Sequence, residues 1–122
     1  MEFEKKDLYL QLYIAKNSMG RLELIQQIGG IVRGVRPDAQ TILYGSEARG
    51  EAKKGSDIDV LILIDKDQIT PQEEKVITNP IYDLEFETGI IISPLVMTKK
   101  AWEAMKKQTL FYYNVMKDGV LI

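Results

Sequence analysis

The chain has 122 residues, 45% of them hydrophobic, the size of one compact domain with apolar material for a single core. Its 16 basic and 18 acidic side chains leave a formal charge of -2, so the overall balance calls for neither a nucleic acid nor an anionic membrane as partner. Cysteine and histidine are both absent, which excludes disulfides, zinc sites, imidazole bases and Ser-His or Cys-His nucleophile pairs; any catalysis rests on carboxylates, hydroxyls, amines or a hard metal ion.

The opening run MEFEKKDLYLQLYIAK mixes both charges and holds no continuous apolar stretch. It reads as neither a signal peptide nor a membrane span, and a cytoplasmic location is expected. Leu8 and Leu12, like Tyr9 and Tyr13, stand four apart, which predicts a helix over 6–16. Residues 1–20 are accordingly assigned to an N-terminal helical extension and 21–122 to the core of a single domain. Ile25, Ile28, Val32 and Val35 step by three and four, predicting an amphipathic helix that stops before Pro37. PDA then turns into a strand, QTILY, and a second strand is predicted from Asp57 to Ile64, whose VLILI run suits burial on both faces.

Thr70, Pro71 and Glu73 form a capping box with proline at the first helical position. Pro80 is expected to interrupt the helix they start, with Asn79 capping a second short piece. In IYDLEFETG, Tyr82, Leu84 and Phe86 alternate like a strand, while the Asn-Pro start and the Gly89 stop fit a helix; we assign it to helix. GIIISPLVM is the third strand, Thr98 caps a helix carrying Trp102 and Met105, and TLFYYNVMKDG is a last helix turning at Gly119 into a tail, VLI. The class is α+β, in an αβαβαβ-like order, with helices packed against one mixed or mostly parallel sheet.

Chemistry concentrates in YGSEARGEAKKGSDIDVLILI, Tyr44 to Ile64. Residues two apart on a strand share a face, with Cα atoms roughly 6.5 Å apart, so Asp57 and Asp59 project side by side. Bare carboxylates that close repel one another unless a cation lies between them, and Mg²⁺ commonly takes one or two carboxylates together with substrate phosphates. Gly45 lets backbone approach a phosphate, the Ser46 hydroxyl and nearby N–H groups can donate to it, and SEARGEA is expected to start a helix whose N-terminus faces the same place. Phosphate donors at one strand end and metal ligands on the next outline a nucleoside triphosphate site.

GSEARGEAKKGSDID resembles the signature of the nucleotidyltransferase superfamily that includes DNA polymerase beta: Gly-Ser, ten intervening residues, then Asp-x-Asp, with ARG-x-A and SD also in place. PDAQTILYGS and FYYNVMKDGVLI look like the same group, so the resemblance to minimal nucleotidyltransferases spans most of the chain. It implies transfer of a nucleoside monophosphate, AMP from ATP, to a hydroxyl with release of pyrophosphate. Asp57 and Asp59 would bind two Mg²⁺ ions, and Gly45, Ser46 and Ser56 would hold the nucleotide, with Arg49 and Lys53 assisting at the phosphates. Such catalysis rests on positioning and charge neutralisation.

Members of the family generally add a third carboxylate from a later strand, and the matching run here, GIIISPL, places Ser93 there. A serine in that position should weaken the binding of at least one ion. Asp83, Glu85 and Glu87 would share a face and offer a replacement only if their segment were a strand. Trp102, Phe111, Tyr112 and Tyr113 have a spacing that suits core packing more than base stacking, and Lys99, Lys100, Lys106 and Lys107 form a solvated basic stripe.

Two classes of function remain open at this point. One is an enzyme whose acceptor, or acceptor-binding site, belongs to a partner; by family analogy that partner is a helical protein of the HEPN type, in a toxin-antitoxin pair. The other is a binding module with a partial site, favoured by Ser93. An aminoglycoside-modifying enzyme is a further alternative, and a homodimer is compatible with any of them.

Overall fold

The computed structural model describes residues 19–53 and 55–122. The helix expected over 6–16 lies outside the described residues. The elements run α1 (Met19–Val35), β1 (Gln40–Tyr44), β2 (Ile58–Ile64), α2 (Pro71–Thr88), β3 (Ile92–Thr98), α3 (Lys99–Ala104), α4 (Leu110–Asp118) and β4 (Val120–Leu121).

The strands form one mixed sheet in the order β3-β2-β1-β4. β1 is antiparallel to both β2 and β4, while β2 and β3 are parallel. The two pairing modes follow from the connections. A long excursion through α2 returns the chain to start β3 at the same end as β2, as a parallel crossover requires.

β2 is central and buried on both faces, as its apolar run predicts. Val60 and Ile62, with Leu43 of β1, join the core under α1 and α2, where Ile25, Ile28, Ile77 and Ile81 are fully buried. Leu61 and Leu63, with Ile42, turn to the opposite face and pack with Trp102, Tyr112 and Val115 of α3 and α4. The period-two alternation of side chains along each strand thus builds two cores from one sheet. The aromatic cluster is mostly core: Trp102 and Tyr112 are buried, whereas Tyr113 is exposed.

Three local expectations need correction. Pro80 lies inside α2, which runs unbroken to Thr88. Ile77, Ile81 and Leu84, spaced at helical intervals around it, are buried against the sheet, and this packing outweighs the missing N–H. SEARGEA does not form a helix; residues 45–50 are consecutive turns. The amides of Arg49, Gly50 and Glu51 bond back to the carbonyls of Gly45, Glu47 and Ser46, at separations of four, three and five residues, a spread that no regular helix sustains. The tail is β4, held by pairing of Val120 with Leu43 and Leu121 with Ile42.

The capping box of Thr70 and Glu73 forms as read, Gly89 closes α2 in the left-handed conformation, and Thr98 caps α3. Assignment of Tyr82 to Thr88 as helix holds, so Asp83, Glu85 and Glu87 do not share a strand face. Glu85 Oε1 instead accepts a hydrogen bond of 2.9 Å from the Ile92 amide, at the entry to β3. Among the described residues no helix is long and apolar enough to cross a membrane.

Candidate functional site

β1 ends at Tyr44 and β2 begins at Ile58, and because the two strands are antiparallel these ends coincide. Tyr44 pairs with Asp59, and on the other side Asp59 pairs with Ser93 of β3. Directly paired residues point to the same face, so Tyr44, Asp59 and Ser93 form a row across three strands. It lies on the sheet face that carries Leu61 and Ile42 further down. Asp57, one residue before the strand, is exposed, whereas Asp59 is half-buried. In this register Ser93 stands directly beside Asp59.

Gly45 follows at once, with φ +75°, and a Cβ built on it would lie 2.6 Å from Asp59 Oδ2. Both the backbone conformation and the close approach therefore require glycine, and together they press the Gly-Ser turn against the Asp59 carboxylate. Ser46 is half-buried in the same turn. The two halves inferred from sequence, a phosphate-binding turn and a metal-binding strand mouth, are in direct contact.

The remaining sequence-inferred residues occupy the loop between them. Arg49 is exposed and its Nε donates to Glu51 Oε2 at 3.1 Å. Lys53 has an exposed side chain, and its amide donates to the Ser56 hydroxyl at 2.8 Å, while the Ser56 amide donates to the Lys53 carbonyl. Ser56 thus closes a tight turn immediately before Asp57, with its hydroxyl already serving the backbone.

Sequence reasoning passed over three residues. Tyr44 lies beside Asp59 and meets Phe111 edge-on, ring centroids 5.4 Å apart, which ties the site to the aromatic core. Glu47, in the turn itself, is 0% exposed, and Arg21, from α1, is 6% exposed. Arg21 Nε donates to Glu47 Oε1 at 2.6 Å, its Nη2 contacts the same oxygen, and Nη2 also donates to the Ser56 carbonyl at 2.7 Å. Only the presence of Glu47 between a glycine-serine turn and an apolar strand hinted at this; its partner is 26 residues away.

The electrostatics follow from crowding of negative charge at a half-buried strand end. Burial first, and then the charge of Asp57, raise the Asp59 carboxyl above the ordinary aspartate value, with Arg49 opposing. Burial and then Asp59 also raise the Tyr44 hydroxyl. The same two causes push the Glu47 carboxyl up to about 7, a rise that the contacting Arg21 guanidinium opposes. A divalent cation would relieve the repulsion at Asp57 and Asp59, whose hard oxygen ligands suit Mg²⁺. Among the described residues no group of three or more acidic side chains gathers to hold a metal, and Ser93 is the residue paired beside Asp59 on β3.

The comparisons with known proteins agree with this arrangement. A model of the nucleotidyltransferase domain matches residues 25–116, which is 92 of the 122 residues and includes both the turn and the aspartate pair. The curated protein named "Putative protein adenylyltransferase MJ0141", from Methanocaldococcus jannaschii, is 32% identical over 81 residues, covering 64% of this chain and 80% of the relative. The chain belongs to the nucleotidyltransferase domain family, as a minimal nucleotidyltransferase of the DNA polymerase beta-like superfamily.

Proposed function

We propose that the protein transfers AMP from ATP to a hydroxyl group of a partner protein. The observation that supports this reading is the close approach of Gly45 to Asp59, which sets the Gly-Ser turn beside the mouth of the strand that carries the aspartate. The family supports nucleotidyl transfer, and the name of the relative supports a protein as acceptor.

Asp57 and Asp59 would hold divalent ions, which supply charge neutralisation at the triphosphate when bound. Gly45 admits the phosphates close to the backbone, and the Ser46 hydroxyl donates to them. The amides of Arg49, Gly50 and Glu51 are engaged within the turn. Arg49 and Lys53, both exposed at the rim, add positive charge toward the phosphates, and Ser56 fixes the turn from which Asp57 projects. In the reaction the acceptor oxygen bonds to the α-phosphorus and the bond from that phosphorus to the bridging oxygen breaks. Its electron pair leaves with pyrophosphate, and the acceptor proton passes to water. The chain's contribution is alignment and charge placement.

A second reading, a nucleotide-binding or partner-masking module, draws on the pairing of Asp59 with Ser93 in place of a third carboxylate. Incubation with α-labelled ATP, Mg²⁺ and the protein product of a neighbouring gene separates the two. A HEPN-type product would place the pair in a toxin-antitoxin context, with this chain modifying a tyrosine hydroxyl. Label transfer that disappears in the Asp57→Asn, Asp59→Asn variant is the expected result. Nucleotide binding without transfer to any offered protein, peptide or aminoglycoside would favour the module.

A further inference from the structure

We propose that Arg21 is a positioning residue for this site: from α1 it clamps the Gly45-Ser46 turn, through Glu47, to the Ser56 carbonyl that precedes Asp57. Its guanidinium spans the two ends of the connection between β1 and β2, donating to Glu47 Oε1 on one side and to the Ser56 carbonyl on the other. Among the described residues between those anchor points the backbone follows no regular helix or strand, and the amides of Arg49, Gly50 and Glu51 make turn-type hydrogen bonds. A planar fork of N–H donors can hold two acceptors at a fixed separation, which a lysine ammonium on its flexible stem does not reproduce.

The burial of the pair argues for position over stability. Glu47 is 0% exposed, and its Oε2 takes no hydrogen bond from the described residues. Desolvation offsets much of the attraction in such a pair, so apolar side chains of similar volume would hold the helix to the turn at least as well. A pair that gains little stability but fixes the spacing of two chain segments fits a site whose halves must stay aligned. Arg21 also lies outside the stretch that matches the family model, which starts at residue 25.

The consequence for nucleotide binding rests on the nucleotidyl-transfer reading, so the experiment has an arm independent of it. The double variant Arg21→Met, Glu47→Leu replaces the ion pair with apolar contacts and removes the link to the Ser56 carbonyl. Hydrogen exchange at the amides of Arg49, Gly50, Glu51 and Ser56 is measured in variant and wild type, alongside urea unfolding and calorimetric MgATP binding. The clamp predicts a folded variant in which these four amides exchange at least tenfold faster while the amides of β2 and α2 are unchanged, and MgATP binds at least tenfold more weakly. A folded variant with wild-type exchange at those amides and wild-type affinity overturns it. Should the double variant fail to fold, Arg21→Lys carries the same comparison: local exchange and affinity both shift if the fork matters, and neither shifts if the residue supplies only charge and packing. Wild-type protein that binds no MgATP counts against the nucleotidyl-transfer reading alone, and the exchange arm then decides the clamp.

Discussion

Gly45 is the residue on which the site turns. Its φ of +75° and the 2.6 Å approach of Asp59 Oδ2 to any added Cβ predict that Gly45→Ala costs about 1–2 kcal/mol in urea unfolding from the left-handed backbone alone, and displaces the Asp59 carboxylate. Unchanged stability and nucleotide affinity would contradict that placement. Asp59 gives a pH signature. Native Asp59 holds its proton more tightly than the ordinary value of 3.8, so unfolding releases a proton and its contribution to stability falls as pH rises above 3.8 in the absence of divalent ions. Asp57→Asn removes one cause of the shift. In EDTA the variant should therefore gain stability over wild type as pH rises above 3.8, read from thermal midpoints; a difference that stays constant with pH refutes the coupling. Ser93→Asp adds a charge beside Asp59 and should tighten Mn²⁺ binding several-fold in a protein that stays folded, with unchanged or weaker binding as the contrary outcome. That the aspartates lie beside the Gly45-Ser46 turn was readable, because it depends on spacing within one short stretch. The neighbouring positions of Tyr44, Arg21 and Glu47 were not, since they arise from strand register and from a contact between α1 and the turn.

Among the elements, α2 shows where local rules yield to packing. Its capping box and left-handed glycine stop were visible in sequence, because caps depend on residues within one turn. Its continuity through Pro80 was not, because that depends on Ile77, Ile81 and Leu84 meeting the sheet. Pro80→Ala restores an N–H to the helix interior and should raise stability by about 1–3 kcal/mol, seen as a higher urea midpoint at constant slope. A fall would mean that the proline ring itself is needed in the packing. The turn at 45–50 failed the opposite way: SEARGEA has helical composition, yet Gly50 and the anchoring of Glu47 to Arg21 accompany mixed turn bonds instead. β4 was missed because a two-residue strand has no periodicity to read, and only its pairing with β1 defines it.

At the scale of the molecule, the sheet separates two cores and brings the site to one end of its three longest strands. The α+β class and the mixed sheet were readable from alternating periodicities and from the both-faces-apolar β2; the strand order was not, because pairing is non-local. Trp102, 0% exposed and meeting Phe111 edge-on, anchors the core that continues through Tyr44 to Asp59. Trp102→Ala should cost about 3–5 kcal/mol in denaturant unfolding, and a cost under about 1 kcal/mol would contradict its place at the centre of that core. The central claim is that the Gly-Ser turn and the aspartate pair form one metal-dependent nucleotide site, and calorimetric titration of ATP with and without Mg²⁺ tests it most directly. Wild type should bind ATP only with the ion, and both Gly45→Ala and the Asp57→Asn, Asp59→Asn variant should lose that binding while remaining folded. MgATP binding of wild-type strength in the double-asparagine variant would contradict the claim.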